Sequence, residues 1–259
     1  MEKVKLLLVE DDVFYQKIVE RVIKRNFPEV VITGVAKDVK SAKEYIEKDS
    51  PQILVLDVNL PDGTSFDLLK QIDKSNHRVV FISAHSEYLA EALKFSFVDF
   101  IFKPFDAIDL TVAIDDAISE LQESYYHVKL EVLVENINSE KGVSKMVIQG
   151  KRSAKAVDIS DIVWAGSVYS GSLFYFSDDT VFLSPLPLRR YELLLRSYGF
   201  MRCHPKTLIN IKHVRFLDEK KNRLYFGDGL HVNYDPRKTN QLKKFIKQRL
   251  VSVARRLQA

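Results

Sequence analysis

Four short apolar runs in the first 105 residues each end on a polar residue, and this arrangement constrains the fold more than anything else in the chain. Val4–Val9 runs into Glu10-Asp11-Asp12, Ile53–Leu56 into Asp57, Val79–Ile82 into Ser83, and Phe100–Phe102 into Lys103-Pro104. A fifth strand-like run spans Val30–Ala36. Between the runs, apolar residues recur at helical spacing: Phe14, Ile18 and Val22; Ala42, Tyr45 and Ile46; Phe66, Leu68, Leu69 and Ile72; Leu89, Ala92 and Leu93; Ile108, Val112, Ile114 and Ile118. Five successive βα units predict a doubly wound five-stranded parallel sheet with helices on both faces. In such a sheet the carboxyl ends of the strands line one edge, and ligands bind in the crevice there. The polar residues named above are therefore expected to meet in one pocket.

Charge separates this part of the chain from the rest. Residues 1–122 hold 15 Lys+Arg against 22 Asp+Glu, a net of −7, whereas residues 123–259 hold 24 against 13, a net of +11. An acidic module joined to a basic one suggests that the second meets a polyanion. Residues 123–144 read as a linker whose own conformation, strand or helix, is left open. From Lys145 the text turns β-rich: Met146–Ile148, Ile162–Trp164, Leu173–Phe176, Val181–Leu183, Leu208–Asn210, Arg223–Phe226 and His231–Tyr234 are separated by Gly, Ser and Asp turn signals. Helices are predicted at Leu188–Tyr198, ended by Gly199, and from Lys238 to Val253, with Leu242, Phe245, Ile246, Leu250 and Val253 on one face. The expected division is 1–122, linker 123–144, and a mostly antiparallel β domain over 145–259.

No apolar run approaches the roughly 20 residues that span a bilayer. The first apolar stretch ends in three acids, unlike a secretion signal. The one cysteine, Cys203, excludes an internal disulfide and fits a reducing cytoplasm; it reads as a small, semi-buried residue.

The pocket's residue types suit a hard divalent cation and a phosphoryl group. Mg²⁺ takes oxygen ligands, usually one or two carboxylates with waters and phosphate oxygens. Asp11 and Asp57 can ligate it directly, Glu10 through water, and a backbone carbonyl just after Asp57, that of Asn59, can add an oxygen. The cation offsets the carboxylates so that an incoming phosphoryl group is less repelled. Asp57, central in the set, is the expected nucleophile, with Lys103 and Ser83 on the phosphoryl oxygens. Asp12 reads as the N-cap of the first helix, and His77 and His85 as surface or loop residues.

These motifs, in order over about residues 3–120 (Val9-Glu10-Asp11-Asp12, Asp57 to Gly63, Ser83-Ala84 and Lys103-Pro104-Phe105), resemble the CheY-like receiver domain of two-component response regulators. The resemblance implies Mg²⁺-dependent phosphate transfer from a sensor histidine kinase to Asp57. It places Phe100 at the aromatic switch position and implies a homodimer through the receiver.

The stretch Tyr198–Val214, with its pattern aromatic-x-Arg-x-His followed by Leu208-Ile209-Asn210, resembles the LytTR DNA-binding domain over about residues 145–252. That family's loops enter successive major grooves of double-stranded DNA. The expected contact segments are Ser167–Ser172, Arg202–Thr207 and Asp235–Lys238, with Tyr169, Ser170, Arg202, His204, Lys206, Arg237 and Lys238 as contact residues. Pro205-Lys206, Ala165 and Asp235 depart from the family pattern. Asn210 reads as structural, because its amide sits inside an apolar strand. Together these readings give a phosphorylation-controlled transcription regulator rather than an enzyme. A receiver-controlled enzyme or a protein-binding adaptor are the competing classes.

Overall fold

The computed structural model describes residues 3–84, 96, 98–122, 125–140, 142–227 and 229–256. Chain contacts divide it into two units, residues 1–147 with 152–156, and residues 148–151 with 157–259.

In the first unit, strands β1 (Val4–Val9), β2 (Val30–Ala36), β3 (Ile53–Asp57), β6 (Arg78–Ser83) and β7 (Asp99–Phe102) form one sheet in the order β2-β1-β3-β6-β7, parallel throughout. Leu6 to Val9 and Ile53 to Leu56 are wholly buried, as a sheet covered on both faces requires. Two-residue strands β4 (Asn59–Leu60) and β5 (Gly63–Thr64) form a small ribbon after β3.

Helices α1 (Val13–Asn26) and α4 (Ala107–Ser119) pack together on one side of the sheet. On the other, α2 (Val39–Asp49) contacts α3 (Ser65–Gln71), which contacts α5 (Tyr126–Asn138). The helix starts are fixed by caps. Thr64 with Asp67, and Asp106 with Asp109, form reciprocal capping boxes. The helix predicted from Leu89, Ala92 and Leu93 lies outside the described residues.

Two expectations about burial need correction. On α1, Phe14 is 64% exposed, and Val19, Val22 and Ile23 face the core. On α4, Ile108 (72%) and Val112 (55%) are exposed, and the buried face is Leu110, Ala113, Ile114 and Ala117. His77 is a loop residue, one of the two readings of the sequence, and is buried there with its Nδ1 2.6 Å from the Pro51 carbonyl; because a carbonyl only accepts, Nδ1 carries the proton. His85 lies outside the described residues.

The stretch of undecided conformation is helical. α5 buries Tyr126, Lys129, Leu130, Leu133 and Asn136, an i, i+3, i+4, i+7, i+10 stripe, with Val132 beside it. Polar contacts tie its first turn, and the 3-10 turn Glu120–Gln122 before it, to β6. The Tyr126 hydroxyl bonds Val79, and Arg78 sends Nε to the Glu120 carbonyl (2.6 Å) and Nη2 to that of Leu121 (3.2 Å). Lys129 Nζ meets Glu120 Oε1 at 2.5 Å.

The second unit holds an antiparallel sheet in the order β12 (Val181–Ser184), β11 (Gly171–Phe176), β10 (Ile162–Val168), β14 (Thr207–Asn210), β13 (Phe200–His204). A three-stranded sheet follows, β15 (Phe216–Asp218), β16 (Arg223–Tyr225) and β17 (His231–Asn233). Strands β8 (Lys145–Gln149) and β9 (Ala154–Asp158) pair with each other. Strands β9, β13 and β15 are additions to the elements read from the sequence.

Helix α6 (Leu188–Leu195) continues as a 3-10 turn to Tyr198 and stops at Gly199, whose φ of 87° is left-handed. Helix α7 spans Thr239–Arg256. A core of Val163, Met201, Cys203, Ile209, Leu224 and Leu242 joins both sheets to α7. Cys203 is fully buried, which pushes its thiol up to about 12. No helix among the described residues is long and apolar enough to cross a membrane.

Candidate functional site

The acidic site is built at the strand ends of the first unit. Glu10 extends β1 by one residue, its N–H donating to the Ala36 carbonyl (3.0 Å), and its side chain is completely buried. Gln16 Nε2 donates to the Glu10 carbonyl (2.6 Å), and the Asp12 N–H donates to Glu10 Oε1 (3.1 Å). Asp12 turns the other way. Its carboxylate accepts from the Phe14 N–H (2.8 Å) as the N-cap of α1, as read from the sequence. Asp11 stays exposed beside it. Asp57 ends β3 and is buried at 6% exposure, with Oδ1 accepting from the Asn59 N–H at 3.1 Å.

Carboxylate oxygens of Glu10, Asp11 and Asp57 lie within 4.8 Å of one another, the metal-capable cluster among the described residues. Lys103 closes the site. Its Nζ donates to Asp57 Oδ2 at 2.6 Å and to Glu10 Oε1 at 3.0 Å, and sits 4.3 Å above the Tyr15 ring. Tyr15 is itself stacked on Phe105. The Lys103-Pro104 peptide is cis.

Burial raises the Glu10 carboxyl to about 7, against the hydrogen bond from Lys103 and with the Asp57 charge adding to the rise. For Lys103, burial opposes the charge, but the bonds to Asp57 and Glu10 outweigh it and hold the ammonium above its ordinary value. An all-oxygen donor set of three carboxylates with a single ammonium among them is chemically suited to a hard divalent cation.

Ser83 ends β6, buried at 1%, and its carbonyl accepts from the Lys103 N–H (2.7 Å). Phe100 is half-buried in β7, its ring edge-on to Phe102 at 5.0 Å. Asn59 is exposed at the start of β4. Strand ends therefore bring together Glu10, Asp11, Asp57 and Lys103, with Ser83 on the adjoining strand. Tyr15 is the addition: its spacing in α1 marks only a helix face, and its place under Lys103 depends on how α1 packs.

In the second unit, backbone bonds make neighbours of the three expected contact segments. The Ser167 N–H donates to the Lys206 carbonyl (2.8 Å), and the Asp235 N–H to that of Cys203 (2.9 Å). Tyr169 and Ser170 form the exposed tip of the β10–β11 turn. That turn closes on Gly171, at φ 135°, where a Cβ would come within 2.1 Å of the Ser184 carbonyl. Lys206 is exposed, and its N–H donates to His204 Nδ1 (3.3 Å).

Arg202 is engaged internally. Nε and Nη2 both reach Glu192 Oε2 (3.0 and 2.7 Å), and Nη1 reaches the Pro205 carbonyl. Lys238 Nζ donates to the Arg202 carbonyl. Arg237 forks onto Asp235, with Nη2 2.6 Å from Oδ2, although the arginine side chain is 86% exposed. That hydrogen bond lowers the Asp235 carboxyl to about 2. Glu192 is ten residues from Arg202 on a different element, and no local spacing announces the pair. Asn210 is buried, its Nδ2 donating to the Ile162 carbonyl (3.0 Å) and its Oδ1 accepting from the Lys212 N–H (3.0 Å).

Comparison with known proteins matches residues 6–115 to the response regulator receiver domain and residues 152–247 to the LytTr DNA-binding domain. The sensory transduction protein LytT of Bacillus subtilis (strain 168) is 25% identical over 247 residues, covering 93% of this chain and 98% of that protein. LytR of Staphylococcus saprophyticus is 27% identical over 197 residues, 73% of this chain and 77% of that one. The transcriptional regulatory protein BtsR of Escherichia coli (strain K12) is 23% identical over 248 residues, 94% and 99% of the two chains. The adaptor reading is not favoured. The chain carries a response regulator receiver domain followed by a LytTR DNA-binding domain and is homologous to the transcriptional response regulators LytT and LytR.

Proposed function

We propose that Asp57 is the phosphoacceptor, taking a phosphoryl group from a sensor histidine kinase. The observation that carries this is the placement of Asp57 Oδ2 2.6 Å from Lys103 Nζ, within a cluster that also holds Glu10 and Asp11. A carboxylate oxygen of Asp57 attacks phosphorus, the donor's leaving group departs, and an acyl phosphate forms. Lys103 then turns its ammonium from the carboxylate to the new phosphoryl oxygens, and the Ser83 hydroxyl donates to another. Glu10, Asp11, Asp57 and the Asn59 carbonyl would hold Mg²⁺, which supplies charge neutralisation when bound. Phe100 follows Ser83 as the aromatic switch, and the receiver pairs with a second copy.

The output is control of transcription through double-stranded DNA in the cytoplasm. Tyr169, Ser170, Arg202, His204, Lys206, Arg237 and Lys238 form the contact surface, and the second module works by binding rather than catalysis. The working division remains 1–122, 123–144 and 145–259, with α5 inside the middle segment. Lys206 and Arg237 have exposed heads that can reach phosphate or guanine edges. Arg202 and Lys238 can contribute only by exchanging their internal partners.

The test is incubation with a small phosphodonor and Mg²⁺, read by intact mass. One added phosphate is expected, absent in Asp57→Ala; label persisting in that variant would move the acceptor elsewhere.

A further inference from the structure

The second unit contains a cavity of about 690 Å³ between the end of α6, strand β13 and helix α7. Its floor is apolar: Phe200, Met201 and Ile211 line it, each under a tenth exposed. Phe245 of α7 stands at the wall, 42% exposed. A cavity in the size range of small-molecule sites, apolar below and polar at the edge, is the common form of a ligand pocket.

The rim decides which ligand. Its one acid, Glu192, is already paired with Arg202. Lys238 is tied to the Arg202 carbonyl. That leaves Arg196 and Lys212, both exposed, whose side chains make no ion pair among the described residues. The uncompensated charge around the apolar floor is therefore positive.

We propose that this cavity binds a small organic anion with an apolar body, an aromatic or medium-chain carboxylate or sulfonate. Its anionic head lies between Arg196 and Lys212, and its body covers Phe200, Met201 and Ile211 against Phe245. A DNA backbone fits less well. It would satisfy the two cations but leave the concave apolar floor facing water. A cationic or neutral amphiphile would cover the floor while leaving Arg196 and Lys212 unanswered, so charge selects the ligand and burial supplies most of the affinity.

The full chain would be titrated with 8-anilinonaphthalene-1-sulfonate, followed by fluorescence, and the bound dye challenged with dodecanoate. The expected result is saturable one-site binding that dodecanoate displaces and dodecyltrimethylammonium does not. The double variant Arg196→Glu/Lys212→Glu should weaken dye binding about tenfold or more. Phe245→Ala should weaken it severalfold, with the near-ultraviolet circular dichroism of both variants unchanged. All three positions are exposed, so folding should survive. Absence of saturable binding, affinity unchanged in both variants, or displacement by the cationic amphiphile would each overturn the proposal. Displacement by a short duplex of arbitrary sequence in preference to dodecanoate would also overturn it and give the cavity to DNA.

Discussion

The Tyr126 hydroxyl bonds both backbone groups of Val79, accepting from its N–H and donating to its carbonyl, each at 3.0 Å. The ladder between β6 and β7 begins only at Val80 opposite Asp99. The phenol thus supplies Val79 with the partners a neighbouring strand would otherwise give. Burial keeps that phenol protonated, its pKa well above the ordinary tyrosine value.

Tyr126→Phe keeps the packing and removes both bonds. It leaves a buried N–H and carbonyl unpaired, at a cost of about 2–3 kcal/mol. Urea unfolding of the two proteins measures this. A loss under about 0.5 kcal/mol would mean that water takes over both groups.

Lys103→Ala should leave Mg²⁺ affinity near or above that of the unaltered chain. The ammonium bonds two of the three clustered carboxylates, so its removal frees oxygens for the cation. Phosphorylation should then no longer reach output. Calorimetric Mg²⁺ titration checks the first part, and a large fall in affinity would contradict this geometry.

Burial lowers the pKa of His77 below 6.5, so the native state favours the neutral ring. Between the folded and unfolded values the unfolded chain binds the extra proton. The stabilisation is therefore complete above about pH 6.5 and lost as pH falls through the folded value. Over about pH 5 to 7.5 Glu10, raised to about 7, makes stability fall with rising pH, so the His77 contribution is read as a difference: the unfolding free energy of the unaltered chain should rise with pH relative to that of His77→Asn, which can still donate toward Pro51. Equal slopes in both proteins would remove His77 from the pH response.

Asp235→Asn should strengthen DNA binding without regard to sequence. Arg237 is exposed but forked onto Asp235, so a phosphate must compete with that carboxylate. The Asn oxygen can still accept from the Arg237 N–H that Asp235 now caps. Isotherms on a target site and a scrambled duplex at several salt concentrations should show equal gains and a salt slope steeper by about one unit. A gain on the target site alone would instead mark Arg237 as a base-reading residue.

The acidic site was legible because a parallel sheet turns linear order into spatial order. Once Val9, Leu56, Ile82 and Phe102 are strand ends, Glu10, Asp57, Ser83 and Lys103 have few other places to be. Helix α5 was not legible. Val128, Leu130, Val132 and Val134 alternate with period two, as a strand does, and the helical stripe is hidden because two of its members, Lys129 and Asn136, are polar. Tertiary partners make them fit: Glu120 neutralises Lys129, and Asn136 bonds the Lys145 carbonyl and the N–H groups of Ser144 and Lys145. Ile108 and Val112 misled in the opposite sense, since an apolar side chain on a helix does not say which face the core lies on.

Strand β6 is only six residues long, with Ser83 at one tip and Arg78-Val79 at the other. Val79 and Ser83 are thus about 13 Å apart along the strand. The strand is a short strut, with Ser83 at its head and helix α5 joined to its foot by the Tyr126 hydroxyl, whose ring lies under the Arg78 guanidinium. Both polar backbone groups of Val79 are held, so the joint has no slack. Motion of the strut along its own axis would load α5 directly, without passing through any surface loop.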